Sequence, residues 1–227
     1  MFTNFKVIAK LGTPIATVDN IILDSIISCA VAKENLKDEF FDGGNKYGTK
    51  EEIDSWLGKI LDKKYNVYCT SIGFGDYKDG ACNWSKRFDT KNDDLIVFLG
   101  RVKQRVDIGG GYFKNYHSPL NLKSYKTMTF FVRGDLGKIK YLLNKHIHYI
   151  GKKGSQGYGE VIEWDFEKID DDISILKDNK PMRPVPIHEI MDILNADEIN
   201  FNIQEHAIIP PYWRKDNREV CVVPNVW

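Results

Sequence analysis

The stretch KTMTFFVRGDLGKIKYLLNKHIHYIGKKGSQGYGEVIEWDF, residues 126–166, decides how the rest of the chain is read. Met128 to Val132 form an apolar, β-rich run that turns at Gly134-Asp135. Leu136, Ile139, Leu143 and Ile147 then recur at helical spacing, and Asp135 stands where a carboxylate caps a first turn. A loop with Lys152, Lys153, Gly154, Gly157 and Gly159 follows, and leads into a strand through Val161, Ile162, Trp164 and Phe166. The predicted order is strand, helix, glycine-rich basic loop, strand. Glycine lets a backbone approach a ligand closely and accepts positive φ, and the two lysines suit an anionic partner.

Towards the N-terminus, residues 5–11 alternate as a strand that Gly12-Thr13-Pro14 ends. Asp19 or Asn20 is then expected to cap a helix over 20–34, with Leu23, Ile26, Ile27 and Ala30 sharing a core-facing side. Asp24, near the helix start, reads as a helix-end charge suited to the macrodipole. Residues 35–92 read as an insertion, with a short helix from Lys50 to Leu61 presenting Ile53, Trp56, Leu57 and Ile60. Its second half carries a loop with Trp84, Lys86 and Arg87. Aromatics interleaved with cations can stack on bases, although packing in a core is the commoner use of large rings.

The segment LIVFLGRVKQRV, residues 95–106, begins as a buried strand and puts Arg101, Lys103 and Arg105 on one face by strict alternation. After Gly109-Gly110-Gly111 come Tyr112, Phe113, Lys114, Tyr116 and His117. Residues 101–116 hold four basic side chains against one acidic, Asp107. Such a segment fits a finger for a nucleic-acid backbone, and it equally fits a solvated hairpin whose charges protect an edge. The nearby Lys152/Lys153 loop weighs towards binding.

Beyond the central unit, Asp165 to Asn179 carries six acidic and two basic residues, as a solvated loop or edge does. PMRPVPIHEI (181–190) has three prolines and reads as an extended, irregular crossing. From about 180 to 227 the chain is expected to form an irregular C-terminal extension, with Pro210-Pro211-Tyr212-Trp213 and a short apolar run from Val220 to Val223. The strand-helix units around residues 5–34 and 127–166 predict one α+β domain over 1–227, ferredoxin-like (RRM-like) at its core.

Composition narrows the function classes. Lys+Arg and Asp+Glu both total 32, so attraction to nucleic acid must come from a local patch. The four cysteines form no CxxC pair, which points to reduced thiols and to neither zinc nor a disulfide framework. With no signal peptide and no run of about 18 apolar residues, the expectation is a cytoplasmic protein away from membranes. The glycine loop precedes a strand, whereas a dinucleotide fingerprint follows one, and GxxxxGK[ST], GxSxG and HExxH are all absent. No cofactor or metal is expected. His146 and His148 would lie about 200° apart on a helix, a poor metal pair. An alternative use is metal-independent cleavage of RNA at a 2′-hydroxyl, with His117, His148 and Tyr158 as candidate catalytic groups.

At IGKKGSQGYGEVIEW (150–164) the chain resembles the glycine-rich loop of the RAMP superfamily of CRISPR-associated proteins. IILDSIISCAVAKE (21–34), RVDIGGGYFKNYHSPL (105–120), PMRPVP (181–186) and PPYW (210–213) resemble, in order, parts of the type IV Cas-five-like subunit, the Csf-three family. The resemblance implies a non-catalytic RNA-binding subunit of a crRNA-guided effector complex. Such a subunit holds the repeat-derived 5′ handle beside a filament of Cas-seven-like subunits. Carried over, Lys152, Lys153, Ser155, Gln156 and Tyr158 would face the RNA. Arg101, Lys103, Arg105, Tyr112 and Lys114 fall in the segment that would form a finger or thumb. Two other readings stay open: a precursor-crRNA endoribonuclease, and a phage- or plasmid-borne interaction module that kept only the fold.

Overall fold

Strand β1 (Thr3–Leu11) is the middle of the main sheet, and its alternation is reproduced in burial: Phe5, Val7, Ala9 and Leu11 point inwards. The computed structural model describes residues 1–17, 20–40, 48–96, 106–193 and 202–224. After β1 come β2 (Ile15–Ala16), α1 (Leu23–Leu36), α2 (Lys50–Leu57), β3 (Lys63–Lys64), β4 (Val67–Tyr68) and β5 (Tyr77–Lys86). The central unit supplies β6 (Tyr116–Tyr125), β7 (Thr127–Gly134), α3 (Leu136–His146) and β8 (Val161–Lys168). The C-terminal part adds β9 (Leu176–Lys177), β10 (Lys180–Pro181), β11 (Val185–Pro186), α4 (Ile187–Ile190), β12 (Asn202–Ala207) and β13 (Arg218–Val223).

β1 lies between β7 and β8 and runs antiparallel to both. On the far side of β7, residues 61–62 and 69–74 continue this sheet, while β3 and β4 between them pair with each other. Isolated antiparallel bridges join Leu61 to Gly134, Thr70 to Val132 and Phe74 to Thr129. The spatial order is therefore 61–74, β7, β1, β8, although residues 61–74 fall within the stretch read as an insertion. Helices α1 and α3 pack together, and Leu23, Ile27, Ile139 and Leu143 join the strand side chains Val7, Phe130 and Trp164 in one core. The architecture is α+β with antiparallel sheets.

Local chemistry explains where the helices begin. Asp135 caps α3 as expected, its side chain accepting from the Lys138 amide at 3.0 Å. Thr49 and Glu52 close a reciprocal capping box on α2. The cap expected for α1 is different. The helix starts behind Ile22 with no side-chain cap, Asn20 lies ahead of it, and Asp19 is outside the described residues. The orphan amide of Leu23 donates to the Ser71 carbonyl at 3.2 Å, so a neighbouring segment does the work of a cap.

A second sheet has the order β2-β6-β5, with β5 and β6 paired over ten positions. Residues 77–86, read as part of a loop, are thus a full strand. Residues 90–95 form a 3-10 turn, and the alternating run with Arg101, Lys103 and Arg105 lies outside the described residues. A third sheet, β11-β13-β12, holds the C-terminal part. The proline-rich crossing contributes β10 and β11 to short pairings.

Asp24 corrects a sequence expectation. It is fully buried and pairs with the equally buried Arg183 at 2.9 Å. Arg183 also donates to the carbonyls of Tyr68 and Ile208 and to the hydroxyls of Thr70 and Tyr212. The Tyr212 hydroxyl donates onward to Asp24 at 2.6 Å. A charge at an exposed helix end needs no partner, whereas a buried one must be paired and hydrogen-bonded, and this one is. Burial opposes the Arg183 charge, but Asp24 beside it raises the guanidinium pKa overall. Burial pushes the Tyr212 phenol well above its ordinary value, which keeps it a donor.

Candidate nucleic-acid interface

The glycine-rich loop is anchored on both sides by the turn that follows β1. The Gly12 amide donates to the Glu160 carbonyl at 3.0 Å, and the Gly159 amide to the Pro14 carbonyl at 2.8 Å. Thr13 bridges further, its hydroxyl donating to the Gly157 carbonyl at 2.6 Å and accepting from the Glu160 amide at 2.9 Å. The Lys152 amide reaches the Ala16 carbonyl at 2.8 Å. Across the base of the loop, the Ile150 amide meets the Gly159 carbonyl at 2.8 Å.

Gly157 and Gly159 take the positive φ expected of them, and the close approach at Gly159 is to the chain's own backbone. At Gly159 φ is +72°, and a Cβ would lie 1.9 Å from the Ile150 carbonyl oxygen. At Gly151, which the sequence reading did not single out, φ is +86° and a Cβ would lie 2.6 Å from the Ile15 side chain. Both make room for the chain's own neighbouring segments. Gly157, with φ +85°, faces open space.

The loop presents Lys153 and Tyr158 to one face of the β5–β6 pair. Period-two alternation puts Cys82, Trp84 and Lys86 on that face, with Tyr116, Ser118 and Leu120 across from them. Lys153 holds its ammonium 4.3 Å from the centre of the Trp84 ring. The Tyr158 hydroxyl lies 3.3 Å from Cys82 Sγ, a contact that raises the phenol pKa. Trp84 donates its indole N–H to the Tyr116 hydroxyl at 2.9 Å. Lys86 bonds the Tyr112 carbonyl and sits 4.7 Å over its ring, leaving Tyr112 82% exposed. Lysines thus lie beside the half-buried Trp84 and the exposed Tyr112 and Tyr116 on one surface.

The remaining candidates divide. Lys152, Ser155 and Gln156 are exposed on the same loop, and Lys114 is exposed in the connection before β6. His117 belongs to the opposite face of the hairpin, where Nδ1 lies 2.6 Å from the Ser85 hydroxyl. His148 is exposed beyond α3, and its carbonyl accepts from the Val161 amide. Among the described residues no hydrogen bond joins His117, His148 and Tyr158 to one another. Nor do the described residues bring three His, Cys, Asp or Glu side chains together as a metal site.

The outer face of the main sheet has the opposite character. Lys6 pairs with Glu167 at 3.2 Å, and Lys10 lies 2.7 Å from both Glu163 and Asp165. Lys6 and Lys10 are neutralised by β8, and Arg133 of β7 by Asp62 at 2.7 Å, which leaves little there to attract phosphate. Sequence reasoning named Trp84 and Lys86 without placing them at the site. The available signal was the alternation of Cys82, Trp84 and Lys86, which marks a strand face.

The family model described as CRISPR type IV associated protein Csf3 matches residues 3–224. The chain belongs to this family. The match takes in both halves of the surface, the β5–β6 pair and the glycine-rich loop, and the Asp24–Arg183 network with them. Comparison with the curated proteins finds no match. No described helix of this Csf3 family member is long and apolar enough to cross a membrane.

Proposed function

We propose that the chain is a non-catalytic RNA-binding subunit of a type IV CRISPR effector complex, gripping the repeat-derived 5′ handle of the guide RNA. The observation that carries this reading is Lys153 lying on Trp84, which joins the glycine-rich loop to an aromatic and basic hairpin face. Cations that follow a phosphate backbone beside rings on which bases stack are the usual equipment for single-stranded nucleic acid. Lys152, Lys153, Ser155, Gln156, Tyr158, Tyr112 and Lys114 are the proposed contacts, with Trp84, Lys86 and Tyr116 added. The order 61–74, β7, β1, β8 with two helices on one face supports a ferredoxin-like RAMP core. Cas-seven-like and other effector subunits are the proposed partners, and the cytoplasm the place of action.

Incubating the purified chain with labelled CRISPR-repeat RNA and EDTA, on native and denaturing gels, tests the reading. A shifted band with intact RNA is expected. Cleavage at one position, lost on His117→Ala or His148→Ala, would establish the endoribonuclease instead. The absence of both shift and cleavage would remove the RNA-binding reading for the isolated chain.

A further inference from the structure

A cleft of about 600 Å³ opens between the start of α1, the root of the glycine-rich loop and β12. Its inner wall is apolar, formed by the buried Ile22, Ile26, Ile147 and Ile150. Its rim carries two exposed amides, Asn20 and Gln204, two exposed cations, Lys152 and Arg218, and one acid, Glu205. The ring of Tyr149, 45% exposed, also lines it. The size suits a small-molecule or single-nucleotide site, and an apolar wall with a few directed polar groups is how such sites are built.

We propose that this cleft receives one unstacked nucleotide of a single-stranded RNA. The inference rests on the RNA-binding reading and deepens it. Lys152 belongs to both surfaces: its amide is fixed on Ala16, it forms part of the cleft rim, and it precedes the lysine that lies on Trp84. A strand tracking Lys152 and Lys153 therefore passes the cleft mouth. There Arg218 supplies a second cation for the flanking phosphate, and the isoleucine wall takes the faces of a base. Asn20 and Gln204 each offer a donor and an acceptor to the base edge, so the cleft selects among bases where the lysines do not.

The test uses a single-stranded RNA selected from a random pool by the wild-type chain, then remade with one abasic site at each position in turn. Loss of the base at one position is expected to weaken binding about tenfold, within the range for a single stacked base. Gln204→Trp, on an exposed strand position, narrows the cleft and should bind all members of the series alike while keeping the wild-type salt dependence. Asn20→Ala should change which base is preferred at that position. Uniform tolerance of abasic sites, with dependence on Lys152 and Lys153 intact, would overturn the cleft and leave the loop reading standing. A sensitive position that survives in Gln204→Trp places the base elsewhere and likewise overturns it. Failure of the wild type to retain any RNA removes both readings together.

Discussion

Asp24 and Arg183 stand 159 positions apart in the chain, and their side chains meet at 2.9 Å with no exposure to water. Removing one partner leaves the other charge buried and unpaired, which costs more than the pair contributes. Arg183→Met should therefore lower stability by about 3–5 kcal/mol. Tyr212→Phe, which deletes one donor to Asp24, should cost about 1–3 kcal/mol. Urea denaturation checks both, and equal losses for the two variants would contradict the assignment of Arg183 as the hub.

Lys152→Ala with Lys153→Ala should weaken RNA binding and flatten its dependence on salt, losing up to about two units of the log–log slope. Affinity measured from low to moderate salt gives that slope directly. An unchanged slope would mean that neither lysine meets a phosphate.

Tyr112 is 82% exposed and makes a T-shaped contact with Phe113, ring centres 5.1 Å apart. Tyr112→Ala, which loses the ring contacts with Phe113 and Lys86, should lower stability by only about 1 kcal/mol. The same variant should weaken RNA binding about tenfold if a base stacks there. Full retention of affinity would exclude Tyr112 from the interface.

The sequence showed the elements whose signals are local. The alternation of residues 5–11, the apolar faces of α1 and α3, and Asp135 as a cap all follow from spacing within a few residues, and β1, α1 and α3 formed accordingly. Longer-range choices were not readable. Nothing near Asp24 announces Arg183, because the pairing depends on a crossing that folds back from the far end of the chain. Trp84 was placed in a loop, because the strand that organises it, β6, begins 30 residues after β5 ends. Gly151 was passed over and Gly159 assigned to ligand approach, since a glycine's crowding by its own chain is invisible without the third dimension.

Gly159→Ala should disturb the loop more than Gly157→Ala. Both positions have positive φ, worth about 1–2 kcal/mol for a residue with a Cβ. Only at Gly159 would that atom also collide with a carbonyl, at 1.9 Å from the Ile150 oxygen. Thermal unfolding of the two variants compares them, and similar midpoints would refute the crowding argument.

Glu34 gives the acid response a definite sign. Hydrogen bonds from Lys145, then His146 and Tyr141, lower its carboxyl from 4.5 to about 2. A carboxylate with a depressed folded-state pKa stabilises above its unfolded value, and that contribution fades as pH falls from 4.5 towards 2. Its side chain is 34% exposed, so solvent screening holds the effect below about 1 kcal/mol. Thermal midpoints measured across that pH window should fall less steeply for Glu34→Gln than for the wild type.

The turn at Gly12-Thr13-Pro14 holds the glycine-rich loop through hydrogen bonds to Gly157, Gly159 and Glu160. A loop so braced is preorganised, and on the proposed reading an arriving RNA strand meets a shape that already exists. Little chain entropy then remains to be lost on association, so the encounter should follow a single kinetic phase with no slow isomerisation behind it. Loosening that brace at Thr13 would convert a rigid dock into a flexible tether, and would register in the association rate before it registered in the contacts.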